Sequence, residues 1–475
     1  MIRKDHLLKV VDDGTLDRVH QDTIQVLEEV GVVFDSDEIL EVFRKNGAKV
    51  DSRKVFITEA MVAAALESCP RSFTMVGRSD DASVRIGAGQ ERMVISPGNG
   101  TLYIQDMEGR RRKGMVEDFN TITRLCEQSR HVHLVGSVPV EPCDISARSR
   151  PARLVRSLMQ YSHKPLIGVA ATQQEAKEVF DIVEIAFGRE GFLNDHVAIA
   201  YSVNPASPLC FESLSCETLF AYARRKQALF ILPGLMAGVS GPLDLYGLVV
   251  LSNAEILAAL LCAQLINPGT PVVYSPGTFM VNMKNVYTVT ASPQGNLANI
   301  AGLQMAREYY GIPSRTMAGM TDAKLVDFQA GAETMQNLVL YTLAGANIIN
   351  ECLGVMDSIM VTSFEKWILD EELLERVHCL EKGFDKMVSG NSVEAIKTVG
   401  SGGSYLMHPG TMANCRNVWM PSLSDWNPYD AWKKSGGIDI LQKAHQRFKE
   451  RMESDGGLVL HRDVDRDIGR YLDKH

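Results

Sequence analysis

The stretch TMAGMTDAKLVDFQAGAETMQ, Thr316 to Gln336, opens as an apolar run and passes through small residues. It reaches Thr321, Asp322 and Lys324 before a helical pattern sets in. A strand that ends in a cluster of polar groups just ahead of a helix is what a parallel sheet or barrel shows at its working edge.

The rest of the chain repeats this arrangement. Short apolar runs ending in Pro, Gly, Asn or Ser are RMVISPGNG from 92, HLVGSVPVEP from 133, KPLIGVAAT from 164, HVAIAYSVNP from 196 and ALFILPGLM from 228. PVVYSPGTF from 271, IPSRTMAGMTD from 312 and ANIINECLG from 346 bring the set to eight, with starts 31 to 43 residues apart. Helix-like segments such as QQEAKEVFDIVEIAFG and SCETLFAYARRKQ lie between them. Strand followed by helix, repeated, means parallel strands with crossover helices. Eight such units predict a closed (β/α)8 TIM barrel, whose usual length is about 250 residues. An open doubly wound sheet is the alternative. Against it, GAGQER from Gly87 precedes the first strand, so no GxGxxG opens a helix after it.

The flanks read as helical. DRVHQDTIQVLEEVGVVF, SDEILEVFRKNGAKVD and TEAMVAAALESCP each place apolar residues at helical spacing. After about 363 come the amphipathic SFEKWILDEELLERVHCLEKGFDKMV, a glycine loop SGGSYLMHPGTMANC, the aromatic RNVWMPSLSDWNPYDAW and a charged helix, GIDILQKAHQRFKERMES. The expected class is α/β: a barrel catalytic domain over 91–362, an N-terminal helical extension over 1–90, and a C-terminal helical extension over 363–475 packed on the barrel.

Composition narrows the function classes. Of 475 residues, 45% are hydrophobic and 23% charged, ordinary for a globular protein. A net charge of -9 argues against a general affinity for nucleic acid. The one dense basic run, Arg110 to Lys113, is flanked by Glu108, Glu117 and Asp118 and reads as a solvated turn. LYGLVVLSNAEILAALLCAQLI, Leu245 to Ile266, is the most apolar segment, but Asn253 and Glu255 interrupt it, so a buried helix is expected and no membrane span. The first twenty residues carry Asp5, Asp12, Asp13 and Asp17 and lack an export signal's apolar core. Nine scattered cysteines with no CxxC pair suggest reduced thiols in a cytoplasm, and no metal-ligand spacing appears.

In a barrel the active site lies at the C-terminal strand ends. Those ends supply Asn99 with Tyr103 just after, Tyr201 and Asn204, Tyr274 and Phe279, Thr321, Asp322 and Lys324, and Glu351. No strand end supplies a histidine. Each residue also has a plainer role: Asn or Asp caps the next helix, and Tyr packs. Lys324 suits a Schiff-base lyase or aldolase, though it follows Asp322 and a salt bridge accounts for it equally.

NPASPLCFESLSCETLFAYARRKQALFILPGLMAGVSGP, LSNAEILAALLCAQLINPGTPVVY, TDAKLVDFQAGAETMQNLVLYTLAGANII and the closing HPGTMANCRNVWMPSLSDWNPYDAW resemble the trimethylamine methyltransferase family, in the same order and over roughly residues 10 to 450. The resemblance implies a TIM-barrel enzyme that moves a methyl group from an amine to the cobalt of a separate corrinoid protein, with no tightly bound cofactor of its own. Founding members carry pyrrolysine at a strand end, a position that falls around Asp322 to Lys324. This chain has only the standard twenty amino acids. Members without pyrrolysine look like quaternary-amine methyltransferases. Glycine betaine, giving dimethylglycine, is the substrate the resemblance points to; carnitine, proline betaine, γ-butyrobetaine and choline are its relatives. The partners implied are a cognate corrinoid protein and a second copy of the chain.

The chemistry fits such a site. A quaternary nitrogen is already charged and leaves as a neutral amine, so the enzyme needs to aim one methyl and exclude water, without a general base. Asp322, Lys324 and Glu351 are the candidate catalytic residues. Aromatic faces hold an alkylammonium at about 0.5 to 2 kcal/mol each, and Tyr103, Tyr201, Tyr274, Phe279 and Phe364 are candidates. Asn99, Asn204, Thr321, Lys324, His408 and Arg416 are candidates for a substrate carboxylate. A betaine-binding protein without activity remains the non-enzymatic alternative.

Overall fold

A computed structural model describes residues 7–383, 392–454 and 457–474. Eight parallel strands close on themselves. They are β1 (Val94–Ile95), β2 (Val135–Gly136), β3 (Leu166–Ile167), β4 (Ile199–Val203), β5 (Ala228–Ile231), β6 (Val272–Tyr274), β7 (Arg315–Met317) and β8 (Ile348–Asn350). Strands β2 to β6 pair in sequence order, and β7, β8 and β1 pair in register at Arg315, Ile348 and Val94. Two seams complete the ring. Tyr274 N donates to Pro313 O at 2.9 Å between β6 and β7, and His133 N to Ile95 O at 2.8 Å between β2 and β1. The expected eight-stranded barrel is present, and every strand lies inside its quoted apolar run.

A helix follows each strand: α1 (Val116–Gln128), α2 (Arg150–Tyr161), α3 (Gln173–Ala186), α4 (Ser213–Arg224), α5 (Leu245–Ile266), α6 (Pro293–Gln304), α7 (Phe328–Leu343) and α8 (Phe364–Glu381). Their starts follow local chemistry. Thr172 and Glu175 form a capping box on α3, and Asp244, Asp327 and Ser363 cap α5, α7 and α8. Helix α5 is long and apolar enough to cross a membrane, yet 83% of its most apolar window is buried. One face packs on the barrel. The helices Asp13–Gln25, Asp37–Lys45 and Glu59–Ser68 of the N-terminal segment pack on it as well, which explains why it is hydrophobic all round.

The bore is filled in its lower half. Val94, Leu134, Ile167, Ala200, Ala228, Phe230, Val273 and Ile348 form one buried cluster with Met75, Val84 and Ile86. The last three belong to a hairpin, Ser72–Met75 and Val84–Gly87, that plugs the N-terminal end. Besides its helices, the N-terminal segment thus contributes strands. Val32–Phe34 pairs with Lys54–Phe56 and, in parallel, with Cys210–Phe211 from the loop after β4. These strands are too short to show alternation in the sequence, and only Gly31, in the left-handed region at φ 74, marks their start.

At the C-terminal end two small sheets wall the mouth. One joins Gly234–Met236, Gly277–Asn282 and Tyr287–Val289; the other joins Tyr103–Gln105, Arg111–Lys113, Val355–Met356 and Val361–Thr362. The basic run lies in the second and is partnered. Arg111 pairs with Asp357 at 2.6 Å and Arg112 with Asp118 at 2.6 Å. After α8, the expected tail of the amphipathic helix over 384–388 lies outside the described residues. Ile440–Glu453 packs back on α8, where Glu365 and Glu371 meet His445 and Arg451. Between them, the stretch around 405–434 is largely exposed.

Candidate active site

Strand alternation sends Val94, Ala200, Val273 and Ile348 into the bore, so Ser96, Ser202, Ser275 and Asn350, two residues on, face the level above. All four are buried. Their small size leaves that level to one large side chain, Arg315, which rises from the start of β7. Its guanidinium donates to Ser202 Oγ at 3.2 Å and to Asn350 Oδ1. Its carbon lies 5.4 Å from the Phe230 ring centroid, and its Nε is buried without a partner. Burial lowers its pKa to about 10, so it is charged at neutral pH.

Glu351, the residue after β8, lies beside it and is 3% exposed. Its Oε2 accepts from Asn99 N at 2.6 Å, and Asn350 Nδ2 lies 3.4 Å from its Oε1. Burial pushes this carboxyl up to about 8, against the opposing pull of the Asn99 hydrogen bond and the Arg315 charge. Glu351 sits in the left-handed region at φ 59, and Asp357, Ser358 and Ile359 in the same loop do likewise. Such backbone costs a non-glycine residue about 1–2 kcal/mol and is held by its surroundings. Gly98 is required opposite. A Cβ there would lie 2.3 Å from Val355 Cγ2 and 3.5 Å from Glu351 Oε2.

Above this charged floor one side of the mouth is apolar. Met317, Met320 and Val355 form a buried cluster, with Leu232, Phe279 and Ile359 packed against it. On the other side Ala170, Asn204, Ala206 and Gly234 are exposed, so the rim is open there.

The residues expected from the sequence separate into three groups. Glu351, Asn99 and Phe279 converge on the mouth. Asn99 contributes chiefly its backbone, since its side chain accepts from Val138 N at 3.0 Å. Asn204 stands at the open rim, with its carbonyl engaged by Ser215 at 2.9 Å. Tyr103 is half-buried in the second rim sheet.

The β7 stretch supplies a strut. The Asp322 carboxylate accepts from Thr290 N and Oγ1 at 3.0 and 2.9 Å, from Ala291 N at 3.2 Å and from Ser358 Oγ at 2.6 Å. It thereby ties one rim sheet to the loop of the other. Thr321 Oγ1 and Asp322 N both donate to Glu333 Oε2, at 2.5 and 2.8 Å. Lys324 pairs with Asp357 at 2.9 Å, and its side chain is 58% exposed. Burial would raise Asp357, but its bonds to Lys324 and Arg111 outweigh that and hold it below the usual range. The charge cluster that ends the strand organises the rim. Lys324 lies outside the bore and lacks the apolar burial a Schiff-base lysine uses.

The third group lies elsewhere, which corrects its expected place in the pocket. Tyr274 faces outward and donates to Asn253 Oδ1 of α5 at 2.9 Å; burial pushes its phenol well up. Tyr201 also faces outward, 5.5 Å from Tyr222 of α4, and burial pushes it up to about 12. Phe364 stacks on Phe448 at 4.7 Å, which fixes α8 to the C-terminal helix. His408 caps a short helix by accepting from Gly410 N at 3.0 Å, and Arg416 lies exposed on the same stretch.

Arg315 was not among the expected residues. A charge inside the apolar run IPSRTMAGM was the available signal. The histidine nearest the bore, His133, accepts from Ile95 N at 3.0 Å and is held down to about 3 by burial, so it is a neutral wall residue. Among the described residues no group of three or more His, Cys, Asp or Glu is placed to hold a metal ion.

Known proteins are similar in sequence to this chain over most of its length. The glycine betaine methyltransferase of Desulfitobacterium hafniense (strain Y51) is 34% identical over 442 residues, covering 93% of this chain and 91% of the relative. The proline betaine:corrinoid methyltransferase of Eubacterium limosum is 28% identical, over 94% of this chain and 93% of the relative. The crystal structure of the Methanosarcina barkeri monomethylamine methyltransferase, MtmB, superposes with a TM-score of 0.56 at 12% identity, covering 96% of this chain and 90% of that one. That likeness supports the fold. The model of the trimethylamine methyltransferase (MTTB) family matches residues 1–475. A barrel whose bore ends in a buried Arg315 and Glu351 under an apolar wall is therefore the core of a methyltransferase, and the chain belongs to the trimethylamine methyltransferase family.

Proposed function

We propose that the protein transfers a methyl group from a quaternary amine, glycine betaine first among the candidates, to the cobalt of a corrinoid carried by a separate protein. The observation that carries this reading is the composition of the bore. It pairs an apolar wall of Leu232, Phe279, Met317, Met320, Val355 and Ile359 with a buried carboxyl at Glu351. A quaternary nitrogen needs no general base, because it leaves as a neutral amine. Reduced cobalt supplies the nucleophile. This chain's residues hold the alkylammonium against the wall, exclude water and direct one N-methyl toward the open side at Ala170, Asn204 and Gly234.

In this reading residues 91–362 are the catalytic barrel domain, and 1–90 and 363–475 are its extensions. The reaction belongs in the cytoplasm: the nine cysteines are all unpaired, as expected of a reducing compartment, where low-valent cobalt persists. The remaining aromatic candidates near the mouth are Phe279 and Tyr103. The test is methyl transfer with purified protein, a reduced corrinoid protein and a panel of quaternary amines. Methylated corrinoid with a betaine supports the reading. No methylation with any quaternary amine, using a corrinoid protein shown to accept methyl groups, overturns it.

A further inference from the structure

We propose that Arg315 is the carboxylate anchor of the bore, which makes the protein selective for zwitterionic betaines over quaternary amines that lack a carboxylate. This rests on the function proposed above. It goes further, because it assigns the specificity to one side chain.

Arg315 is 2% exposed, and its state is unlike that of other buried and half-buried cations. Lys366 is paired with Asp370 at 2.6 Å, and Arg225 with Glu184. Lys164 donates to Glu127 O and Ser129 O, and Arg78 to Met159 O and Ser162 O, the carbonyl-rich ends of α1 and α2. Arg315 donates to two neutral side chains, Ser202 Oγ and Asn350 Oδ1, feels the Glu351 carboxyl without pairing to it, and leaves its Nε–H without a partner. A guanidinium carries five N–H donors in a planar fork that matches a carboxylate. Removing it from water without a counter-charge is costly, and a bound anion offsets that cost.

The groups around the guanidinium are small and polar. Ser96, Ser202 and Ser275 are short side chains at the same level, and Ser96 Oγ is also buried without a partner. Two polar groups, one just after β1 and one on β7, are thus buried without a partner. Glu351 does not fill the role of counter-ion. Its oxygens accept from Asn99 N and Asn350 Nδ2 and form no ion pair with Arg315, and burial holds its carboxyl above the usual range. A substrate whose carboxylate meets Arg315 sets its quaternary nitrogen higher, against Met317, Met320 and Phe279. Choline or tetramethylammonium would bring a second cation next to a buried one, with no anion to compensate. Specificity then comes from repulsion of the wrong substrate as well as attraction of the right one.

The experiment measures glycine betaine and choline in parallel, by calorimetric binding and by methyl transfer to corrinoid protein. The proteins are wild type, Arg315→Gln, Arg315→Lys and Asn350→Asp, with thermal melting of each. Asn350→Asp is chosen because it gives the guanidinium a fixed carboxylate partner and so fills the anchor without removing the arginine. Wild type is expected to bind glycine betaine and not choline. Arg315→Gln and Asn350→Asp lose about 100-fold in betaine affinity, the size expected when one partner of a buried charge pair is lost or already taken. Arg315→Lys recovers part of it. Betaine affinity within about threefold of wild type in a folded Arg315→Gln or in Asn350→Asp, or choline binding equal to betaine, overturns the anchor. Arginine-dependent betaine binding without methyl transfer would leave the anchor standing and remove the proposed function. Methyl transfer from choline and betaine alike, insensitive to Arg315→Gln, would do the reverse.

Discussion

At the scale of single residues, titration separates the candidates. Glu351 has a folded pKa of about 8 against an ordinary 4.5, so between those values the folded protein holds a proton the unfolded chain has lost. Stability therefore falls as pH rises through that window. Glu351→Gln should flatten this decline, which melting temperatures from pH 5 to 8 will show. An unchanged slope would mean that Glu351 is not the group. Tyr274→Phe removes the bond to Asn253 and should cost about 1 kcal/mol of stability with no change in KM, measured by urea unfolding and steady-state kinetics. The side of the barrel wall that each tyrosine faces was not legible in the sequence. Parallel barrel strands are buried on both faces, so YSV and VVYS give no polar side to mark the bore. Arg315 was legible in principle, as a charge in an apolar run, but the sequence alone does not place Ser202 and Asn350 beside it.

At the scale of elements, the strand-end loops act as one rim. The eight strands were readable because each apolar run ends in a turn residue ahead of a helical period, a local pattern that survives tertiary packing. The rim sheets were not readable. Their strands of two to six residues pair across loops far apart in sequence, as Val361 does with Tyr103. Asp322 depends on that long-range assembly. As the acceptor shared by Thr290, Ala291 and Ser358, it sets the spacing between β6, β7 and β8 loops. Asp322→Ala should leave buried donors unpaired and cost about 1–3 kcal/mol, and kcat/KM should fall with it; a stable variant with normal kinetics would remove its structural role. Two glycines offer a matched pair. An added Cβ at Gly319 would lie 2.2 Å from the Glu351 backbone oxygen, whereas at Gly98 it would meet the Val355 side chain at 2.3 Å. A side chain gives way more readily than backbone. Gly319→Ala should therefore lower the melting temperature more than Gly98→Ala, and the opposite order would show that the β8 loop is free to move.

At the scale of the whole molecule, the barrel is plugged at one end. The hairpin carrying Met75, Val84 and Ile86 closes the bottom, and helix α5, apolar on every face, is sealed between the barrel and the N-terminal helices. The other end is the mouth, where a charged floor lies below an apolar wall and one side of the rim is open. In the function proposed for it, a permanently charged nitrogen lets this pocket work without a base. The decisive measurement is the spectrum of a reduced corrinoid protein mixed with this protein and glycine betaine, with the amine product quantified at the same time. Methylated corrinoid and one dimethylglycine for each methyl transferred are the expected result. An unchanged corrinoid spectrum with glycine betaine and every other quaternary amine, in the presence of a competent acceptor, would contradict it.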